Sequence, residues 1–470
     1  MVNVTAVRTT GIYCHSGCSA RPNPENTDMY GSQVAAEVDG FRPCLRCRPD
    51  LQPGSELDAT SPAPLRRALE LVGEGMLDSA TETELAAAVG YSQRHLRRLF
   101  VDHLGATPDA VARSRRAHFA RRLLDETDLA VTQIAFAAGF NSVRQMNRVV
   151  RQVFAFAPRD LRRRRRRSPD SIDGGLALTL PAPNVDWKSC LRYLAPRSIP
   201  GVEVVEQALY ARTFTLCGHL GVIEIAQTEP ESLDVLVHLP DFAGLIDVAH
   251  RVRRLVGLDL PSAAEVEALA NDAVLGPLVL ASPSTRVPGA WDRFESLIRI
   301  VVGQQVSVVG ASTMAGRLVA SCTEPVTGLD RLGLDRRFPT PTELAEADLE
   351  ACGFTGRRAQ TIRDVAGLVA SGEIRLDDEP ASLAEALLEV RGIGPWTTEL
   401  VSMRVSRSAD AFPSSDLGLR DGVGALVGGG RADASDVARV SATWAPNRSL
   451  AAALVWSVRS GSEPEPKKTG

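Results

Sequence analysis

Four of the eight cysteines in this chain lie within its first 47 residues, in two closely spaced pairs. Cys14 and Cys18 form the first pair, Cys44 and Cys47 the second, and 25 residues separate the pairs. This spacing lets four thiolates occupy the corners of one tetrahedron, at about 2.3 Å from a zinc ion. Because so short a segment rarely folds around an apolar core alone, we predict one Zn²⁺ per chain, bound by these four cysteines.

The chemistry of this cysteine cluster has two interpretations. In the first, the metal only stabilises the fold of a small segment. In the second, one thiolate is a nucleophile, because zinc keeps cysteine deprotonated at neutral pH and a four-thiolate site carries a formal charge of minus two. The spacing of the cysteines leaves both interpretations open.

The residues around the cysteines closely resemble the Ada-type methylphosphotriester repair domain. The similarity runs through residues 6–14, 18–26 and 40–47. In that family the first cysteine irreversibly takes the methyl group of an alkylated DNA phosphate. The resemblance therefore implies that Cys14 is the methyl acceptor and that Cys18, Cys44 and Cys47 complete the zinc site.

Length and composition are those of an ordinary globular protein. A chain of 470 residues can hold two to four domains, and 44% of its residues are apolar and 23% charged. No apolar stretch reaches the length of a membrane span, and the first ten residues lack the apolar core of a signal peptide. We therefore predict a cytoplasmic monomer without a membrane partner. The other cysteines, Cys190, Cys217, Cys322 and Cys352, are predicted to be reduced thiols.

Charge is strongly segregated along the chain. The net charge is −4, but residues 91–167 contain 18 arginines and six acidic residues, so this segment carries about +12 and the rest about −16. Such segregation predicts a polyanionic partner. The arginine run at 162–167, taken alone, is equally compatible with a solvated tail.

The basic segment contains an internal repeat. Ala86 and Gly90 recur 49 residues later as Ala135 and Gly139, and each glycine ends an apolar helical pattern. A glycine at this point suits the tight bend of a helix-turn-helix. The sequence therefore predicts two copies of one helical unit.

A second helix is predicted to begin after each bend, with Ser92 and Ser142 as N-caps. The side chains predicted to face outward and contact DNA are Arg94, Arg97, Arg98, Arg144, Gln145 and Arg148. Such side chains can read base edges in a major groove or simply be solvated. The paired turns and the Gly-Ala-Thr-Pro element at 105–108 resemble the AraC-type regulator domain. That resemblance implies an all-α fold, a joining helix over about 110–126, promoter DNA as partner and RNA polymerase as a further partner.

The pattern changes again after the basic segment. Residues 168–182 lack periodicity and contain several glycines and prolines, so they are predicted to be a linker. Alternating, β-branched residues at 220–225 and 233–237 then predict a small antiparallel sheet. From about residue 261, a 3.6-residue periodicity predicts a mostly helical body.

Within the helical body, residues 390–400 carry Gly392, Ile393 and Gly394 directly before a helical pattern. Such a sequence makes a tight hairpin whose free amides, at a helix start, bind a phosphate without reading sequence. A plain helix connection is the simpler alternative. The carboxylate of Asp416, 22 residues after Gly394, strengthens the phosphate-binding interpretation.

This pairing of hairpin and aspartate resembles the helix-hairpin-helix glycosylase superfamily. Motifs across residues 176–460, among them 303–308, 338–341 and 444–449, resemble DNA-3-methyladenine glycosylase II in particular. The resemblance implies that Trp396, Trp456 and Gln304 line the pocket for a flipped, cationic base. Members that also cleave the strand carry lysine at the position of Trp396, so excision without strand cleavage is implied. Because this half lacks four clustered cysteines, no iron–sulfur cluster is expected.

The chemistry of excision points to one carboxylate. An alkylated purine such as 3-methyladenine already carries positive charge, and that charge moves to the sugar as the glycosidic bond breaks. A carboxylate beside the sugar stabilises this state and can orient or deprotonate the attacking water. The resemblance implies that Asp416 is this catalytic residue, because of the three nearby aspartates only Asp416 falls on the aspartate of the family motif. Asp410 and Asp421 are weaker candidates, and capping of the next helix is the structural alternative for Asp416.

The sequence thus predicts a multidomain protein that repairs alkylated double-stranded DNA. Its parts are a small α+β zinc domain (1–55), an all-α double helix-turn-helix domain (60–167), a linker (168–182), an α+β glycosylase made of a small antiparallel sheet (183–258) and a helical body (259–460), and a disordered tail (461–470). The predicted activities are excision of alkylated purines, demethylation of methylphosphotriesters and regulation of transcription. The alternative is a transcription regulator with a structural zinc site and a non-catalytic, damage-binding C-terminal half.

Overall fold

The computed structural model describes residues 4–15, 17–20, 22–49, 61–164, 175–258, 263–326 and 331–460. The chain divides into two compact units. The first unit contains Met1–Val185, Gly201–Val252 and Val326–Arg337, and the second contains Asp186–Pro200, Arg253–Pro325 and Phe338–Gly470. The predicted tail and residues 168–174 of the predicted linker lie outside the described residues.

The first unit begins with a small sheet and one short helix. The strands are β1 (Val4–Val7), β2 (Ile12–His15), β3 (Thr27–Tyr30) and β4 (Arg42–Pro43), and the helix is α1 (Gln33–Val38). The sheet order is β3-β1-β2-β4, with β4 parallel to β2 and the other pairs antiparallel. Val4, Ala6, Tyr13 and Ala36 form its small apolar core. This is the predicted α+β arrangement, and it places Cys14 on a strand that is paired on both sides.

Helices fill the next part of the first unit. Their bounds are α2 (Ala63–Gly73), α3 (Met76–Ser79), α4 (Glu82–Ala88), α5 (Gln93–Leu104), α6 (Pro108–Glu126), α7 (Val131–Ala137), α8 (Val143–Phe154) and α9 (Pro158–Arg163). Gly90 and Gly139 adopt positive φ of 74° and 78° between the paired helices, where glycine avoids the strain of a side chain. Ser92 and Ser142 cap α5 and α8, so the predicted double helix-turn-helix joined by one long helix is confirmed.

A five-stranded antiparallel sheet completes the first unit. Its strands are β5 (Leu176–Pro181), β6 (Glu203–Glu206), β7 (Leu209–Leu216), β8 (His219–Ala226) and β9 (Ser232–His238), in the order β5-β9-β8-β7-β6. The linker prediction was wrong for residues 176–181, which pair along their whole length with β9. Leu178 and Leu180 alternate inward and are 2% and 0% exposed, while Pro181 stands at the end of an edge strand, where no ladder hydrogen bond is lost.

The second unit is helical. Its helices are α10 (Trp187–Leu194), α12 (Ala263–Ala270), α13 (Gly276–Ala281), α14 (Arg293–Val302), α15 (Val308–Cys322), α16 (Pro341–Ala345), α17 (Gly356–Ser371), α18 (Pro380–Leu388), α19 (Pro395–Arg404), α20 (Leu417–Leu426), α21 (Ala434–Ser441) and α22 (Arg448–Ser460); α11 (Leu245–Val256) begins in the first unit. One apolar core, which includes Phe412, Leu419, Trp444 and Val455, packs α20 and α22 together. Among the described residues, no helix is long and apolar enough to cross a membrane.

The division into units also corrects the predicted boundary between sheet and helical body. Residues 186–200 belong to the helical unit, although they precede most of the sheet in sequence. Residues 326–337 return to the sheet, where Leu334 packs against Ala211 and Val222. Apolar contacts between residues distant in sequence decide this division, so local patterns did not predict it.

Candidate metal centre and active site

The four N-terminal cysteines converge on one point. The sulfur atoms of Cys14, Cys18, Cys44 and Cys47 all lie within 4.8 Å of one another. A tetrahedral thiolate site with bonds of about 2.3 Å to zinc places its sulfurs about 3.8 Å apart, so small side-chain adjustments suffice to bind one Zn²⁺. Cys14 and Cys44 are only 7% and 8% exposed, whereas Cys18 and Cys47 are half-buried.

The electrostatics of the cluster favour a bound cation. Burial, followed by the neighbouring thiols of Cys18 and Cys44, raises the pKa of Cys47 to about 12. Burial and Cys44 also raise the pKa of Cys14, whereas backbone N–H groups of Cys47 and Arg46 overcome burial and lower the pKa of Cys44. Four such thiols cannot all ionise so close together without a compensating charge. A divalent ion that prefers thiolates fits this donor set.

The strand that carries Cys14 is tied to the helix between the two helix-turn-helix units. The hydroxyl of Tyr13 donates to Glu37 Oε1 at 2.8 Å, and His118 Nε2 in α6 lies 2.6 Å from the same oxygen. The carboxylate of Glu37 is 5% exposed. The His118 ring in turn makes an edge contact with Phe154 at the end of α8. Sequence reasoning missed this connection, because no motif marks a contact between residues 81 positions apart.

The predicted DNA-contacting side chains lie on α5 and α8. Arg94, Arg98, Arg144 and Arg148 are exposed. Arg97 is exposed as well, but its Nε lies 3.3 Å from Glu82. The side-chain oxygen of Gln145 accepts a hydrogen bond from the backbone N–H of Asn141 at 3.1 Å. Arg98 Nη2 lies 3.2 Å from His95 Nδ1. Three of the predicted contacts, Arg97, Arg98 and Gln145, therefore already have partners within the protein.

The glycine hairpin at residues 392–394, in the second unit, packs closely against α17. Gly392 has φ of 97°, and an added Cβ would collide with Thr361 Oγ1. The Thr361 hydroxyl lies 2.9 Å from the carbonyl oxygen of Arg391. Helix α19 starts directly after the hairpin, with Gly394 as its N-cap and Pro395 in its first turn. Pro395 has no N–H, and the amides of Thr397 and Thr398 donate to the Gly394 carbonyl oxygen at 2.9 and 3.1 Å. In the first turn of α19 the amide of Trp396 is therefore the one left for the predicted phosphate contact.

Gln304 joins this hairpin to the loop before α15. Its side-chain amide donates to the carbonyl oxygen of Gly392 and to Thr397 Oγ1, both at 3.0 Å. The backbone carbonyl oxygen of Gln304 accepts a hydrogen bond from Arg358 Nη2 at 2.5 Å. The next residue, Gln305, is exposed and has a positive φ of 57°. These hydrogen bonds show that Gln304 stabilises the hairpin. That Gln304 also lines the base pocket stays a prediction.

The structure brings Asp416, Trp396 and Trp456 together. Trp396 Nε1 donates to Asp416 Oδ2 at 3.1 Å, and Trp456 Nε1 donates to Asp416 Oδ1 at 2.9 Å. The backbone N–H of Leu419 also donates to Oδ1, at 3.1 Å, so Asp416 is the N-cap of α20. Asp416 therefore caps α20, and the same half-buried carboxylate is oriented by two indoles; its catalytic role stays a prediction.

The two weaker candidates have different surroundings. Asp410 makes a two-point ion pair with Arg448, with distances of 2.7 and 2.8 Å. Asp421 is paired with Arg431. Since both carboxylates are neutralised by arginine, only Asp416 of the three combines neutral donors with two aromatic side chains.

Substituting Gly392 by Ala should destabilise the second unit. We expect the free energy of unfolding to fall by about 2–4 kcal/mol. Alanine is strained at a positive φ, and its Cβ would displace the side chain of Thr361. Urea denaturation monitored by tryptophan fluorescence measures the loss.

Gly394→Ala is the matched control. Gly394 has φ of −133°, and an added Cβ meets no atom within 4 Å, so the loss should stay below about 1 kcal/mol, the typical cost of alanine at an N-cap. Equal effects of the two substitutions would contradict the described hairpin geometry.

Four family models match the chain in sequence order. They are the metal binding domain of Ada (residues 2–50), a helix-turn-helix domain (85–164), the AlkA N-terminal domain (177–292) and the HhH-GPD superfamily base excision DNA repair protein (298–446). The fold and the site thus define a DNA repair protein of the helix-hairpin-helix class that carries a metal-binding and a helix-turn-helix domain at its N-terminal end.

Comparison with individual proteins narrows this class. The chain is 38% identical over 464 residues to the "Probable bifunctional transcriptional activator/DNA repair enzyme AlkA" of Mycobacterium tuberculosis, covering 97% of this chain and 92% of that protein. It therefore belongs to the family of AlkA-type bifunctional transcriptional activator/DNA repair enzymes. The DNA-3-methyladenine glycosylase 2 of Escherichia coli is 29% identical over 284 residues, which cover 58% of this chain and 94% of that enzyme.

A solved structure supports the fold of the C-terminal part. The 3-methyladenine DNA glycosylase of Archaeoglobus fulgidus superposes with a TM-score of 0.54 at 22% identity, over 60% of this chain and 98% of that one. The predicted α+β glycosylase fold is confirmed by this match.

Proposed function

We propose that this protein excises alkylated purines from double-stranded DNA by hydrolysis, using Asp416 as the catalytic carboxylate. The observation that carries the proposal is the convergence of two indole N–H groups on this one carboxylate, in a family of DNA repair enzymes. The indoles fix the orientation of the carboxylate and are themselves uncharged donors. As the glycosidic bond breaks, this charge stabilises the cationic sugar and orients the attacking water.

The hairpin at 392–394 would hold a backbone phosphate of the damaged strand, with the backbone amide of Trp396 at the start of α19 as a donor. Trp396 and Trp456 would border the flipped base, because electron-rich rings attract a cationic purine. Neither position carries an amine that could form a Schiff base. Excision therefore leaves the strand intact.

An alkylated duplex with one labelled strand tests this proposal. The protein should release 3-methyladenine, and the strand should break only after hot alkali cleaves the abasic site. Strand breakage without alkali, or a covalent adduct after borohydride reduction, would contradict hydrolysis. If no base is released while the damaged duplex is bound, the alternative of a non-catalytic damage-binding module gains support.

We infer a second reaction at the zinc domain. The Cys14 sulfur attacks the methyl carbon of a methylphosphotriester, the carbon–oxygen bond breaks, and the electron pair leaves with the phosphate oxygen. Zn²⁺ at the four cysteines would keep the attacking sulfur ionised. Arg46, which precedes Cys47 and is exposed, would attract the DNA backbone.

Methyl transfer would also change the charge that faces DNA. A thioether at Cys14 lowers the negative charge of the metal site by one. At about 10 Å from a phosphate, with an effective dielectric near 20, this change is worth roughly 1–2 kcal/mol before salt screening. Alkylation of Cys14 would therefore tighten DNA binding and activate transcription.

Base recognition by α5 should depend on Arg94 more than on Arg97. On duplexes selected from a random pool by the unmodified protein, Arg94→Ala should weaken binding by about 1–3 kcal/mol. Arg97→Ala should cost less, because Glu82 already holds that guanidinium. Fluorescence anisotropy at several salt concentrations measures both, and a larger loss for Arg97→Ala would contradict this assignment.

A further inference from the structure

Arg404 occupies an unusual position in the last turn of α19. Its guanidinium carbon lies 5.5 Å from the ring centre of Trp456 and 5.3 Å from the ring centre of Tyr193. Its Nη1 donates to the carbonyl oxygen of Pro288 at 2.6 Å. The cation is thus fixed between two aromatic rings, eight residues after Trp396 on the same helix.

The second ring in this arrangement has its own fixed cation. The guanidinium carbon of Arg197 lies 4.0 Å from the ring centre of Tyr193, and its Nη1 donates to the Tyr193 carbonyl oxygen at 2.9 Å. Tyr193 is therefore held by a residue that lies just after the end of its own helix, and it offers Arg404 a fixed partner. Cation–π contacts of this kind gain strength where water is excluded.

Trp456 connects Arg404 to the carboxylate. The same indole that faces the guanidinium donates through Nε1 to Asp416 Oδ1 at 2.9 Å. The edge of the indole also touches the backbone at Gly418, where an added Cβ would lie 3.0 Å from Trp456 Cδ1. A cation over the ring face polarises the indole and makes its N–H a stronger donor.

We propose that Arg404 is a positioning residue for base excision, which holds and polarises Trp456 so that its N–H fixes Asp416 for the reaction. This inference rests on the proposed glycosylase function and extends it to a residue that bonds to neither base nor sugar. Burial lowers the pKa of Arg404, and the carboxylate charge of Asp416 acts in the opposite direction. The guanidinium keeps its charge, as arginine does in proteins.

A purely structural role for Arg404 is the competing explanation, since its bond to Pro288 ties α19 to a neighbouring loop. Two substitutions separate the roles. Arg404→Met keeps the length of the side chain and removes the charge, whereas Arg404→Lys keeps a cation near the rings. Arg293→Met is the matched control, because Arg293 also donates to a backbone carbonyl, that of Leu376 at 2.8 Å.

The measurement is single-turnover release of 3-methyladenine from alkylated duplex by the full-length protein, together with the Kd for the same duplex. Arg404→Met should slow release by about 10- to 100-fold and change Kd by less than about 3-fold, because the carboxylate acts on the transition state. Arg404→Lys should recover most of the rate. Arg293→Met should leave the rate within about 2-fold, even if its melting temperature falls.

A double-mutant cycle tests whether Arg404 acts through Trp456. Trp456→Phe retains a ring but removes the N–H donor, so adding Arg404→Met to it should slow release by less than about 2-fold. A full additional loss in this background would overturn the proposal, as would unchanged release by Arg404→Met alone. If the unmodified protein releases no base, the proposed glycosylase function itself is wrong. If the unmodified protein is active, and Asp416→Asn abolishes release but Arg404→Met does not, only the role of Arg404 is refuted.

Discussion

Asp416→Asn should lower the single-turnover rate of 3-methyladenine release by about 10³-fold, or roughly 4 kcal/mol of transition-state stabilisation. The substitution removes the negative charge that faces the developing cation. It also places an amide NH₂ where the carboxylate now accepts hydrogen bonds from Trp396 and Trp456. Because Asn is as good an N-cap as Asp, α20 should still begin at residue 416.

The control for this prediction is the same chemical change five residues later. Asp421→Asn removes a carboxylate that is paired with Arg431. The rate of 3-methyladenine release by Asp421→Asn should stay within about 2-fold of the rate of the unmodified protein. Release by Asp416→Asn within 10-fold of the original rate, with an unchanged melting temperature, would refute the assignment of Asp416.

Cys14→Ala should abolish methyl uptake from methylphosphotriester DNA. The unmodified protein should gain one methyl group, mapped to Cys14 by mass spectrometry, and the variant none. Loss of one thiolate also weakens the metal site, so a chelator should remove zinc from the variant at lower concentration. Since Glu37 and Ser32 of the zinc domain contact α6 and α5, metal loss should lower the melting temperature of the helix-turn-helix region too.

The exposed residue Cys217 provides the control for non-specific alkylation. Cys217→Ala should gain the same single methyl group as the unmodified protein. If zinc is bound and Cys14 remains unmethylated, the purely structural interpretation of the metal site is correct.

Local sequence signals predicted much of this protein for physical reasons. Thiolates two or three residues apart can reach one metal ion, and the cysteine spacing therefore predicted the cluster at residues 14–47. Glycine at the bends and serine at the helix starts are dictated by backbone geometry, so Gly90, Ser92, Gly139 and Ser142 lie where the repeat predicted. The glycine pair at 392–394 predicted its hairpin in the same way.

Other features were wrong or missed because they depend on distant residues. The glycines and prolines near residue 176 suggested a linker, yet pairing with β9 makes this segment an edge strand. The hydrogen bond from the Gln304 amide to the hairpin carbonyl, 88 residues away, was missed, and the place of Gln304 in the base pocket stays a prediction.

By itself, the sequence determined which residues can bind a metal, form the turn between two helices or bind a phosphate, because those capacities depend on residue type and short spacing. Only the tertiary structure decided that two indoles converge on Asp416, that Arg404 lies over one of them, and that Glu37 joins the zinc domain to α6. These contacts join residues 20 to 81 positions apart. Their geometry is set by how helices and sheets pack around apolar cores, which no local pattern specifies.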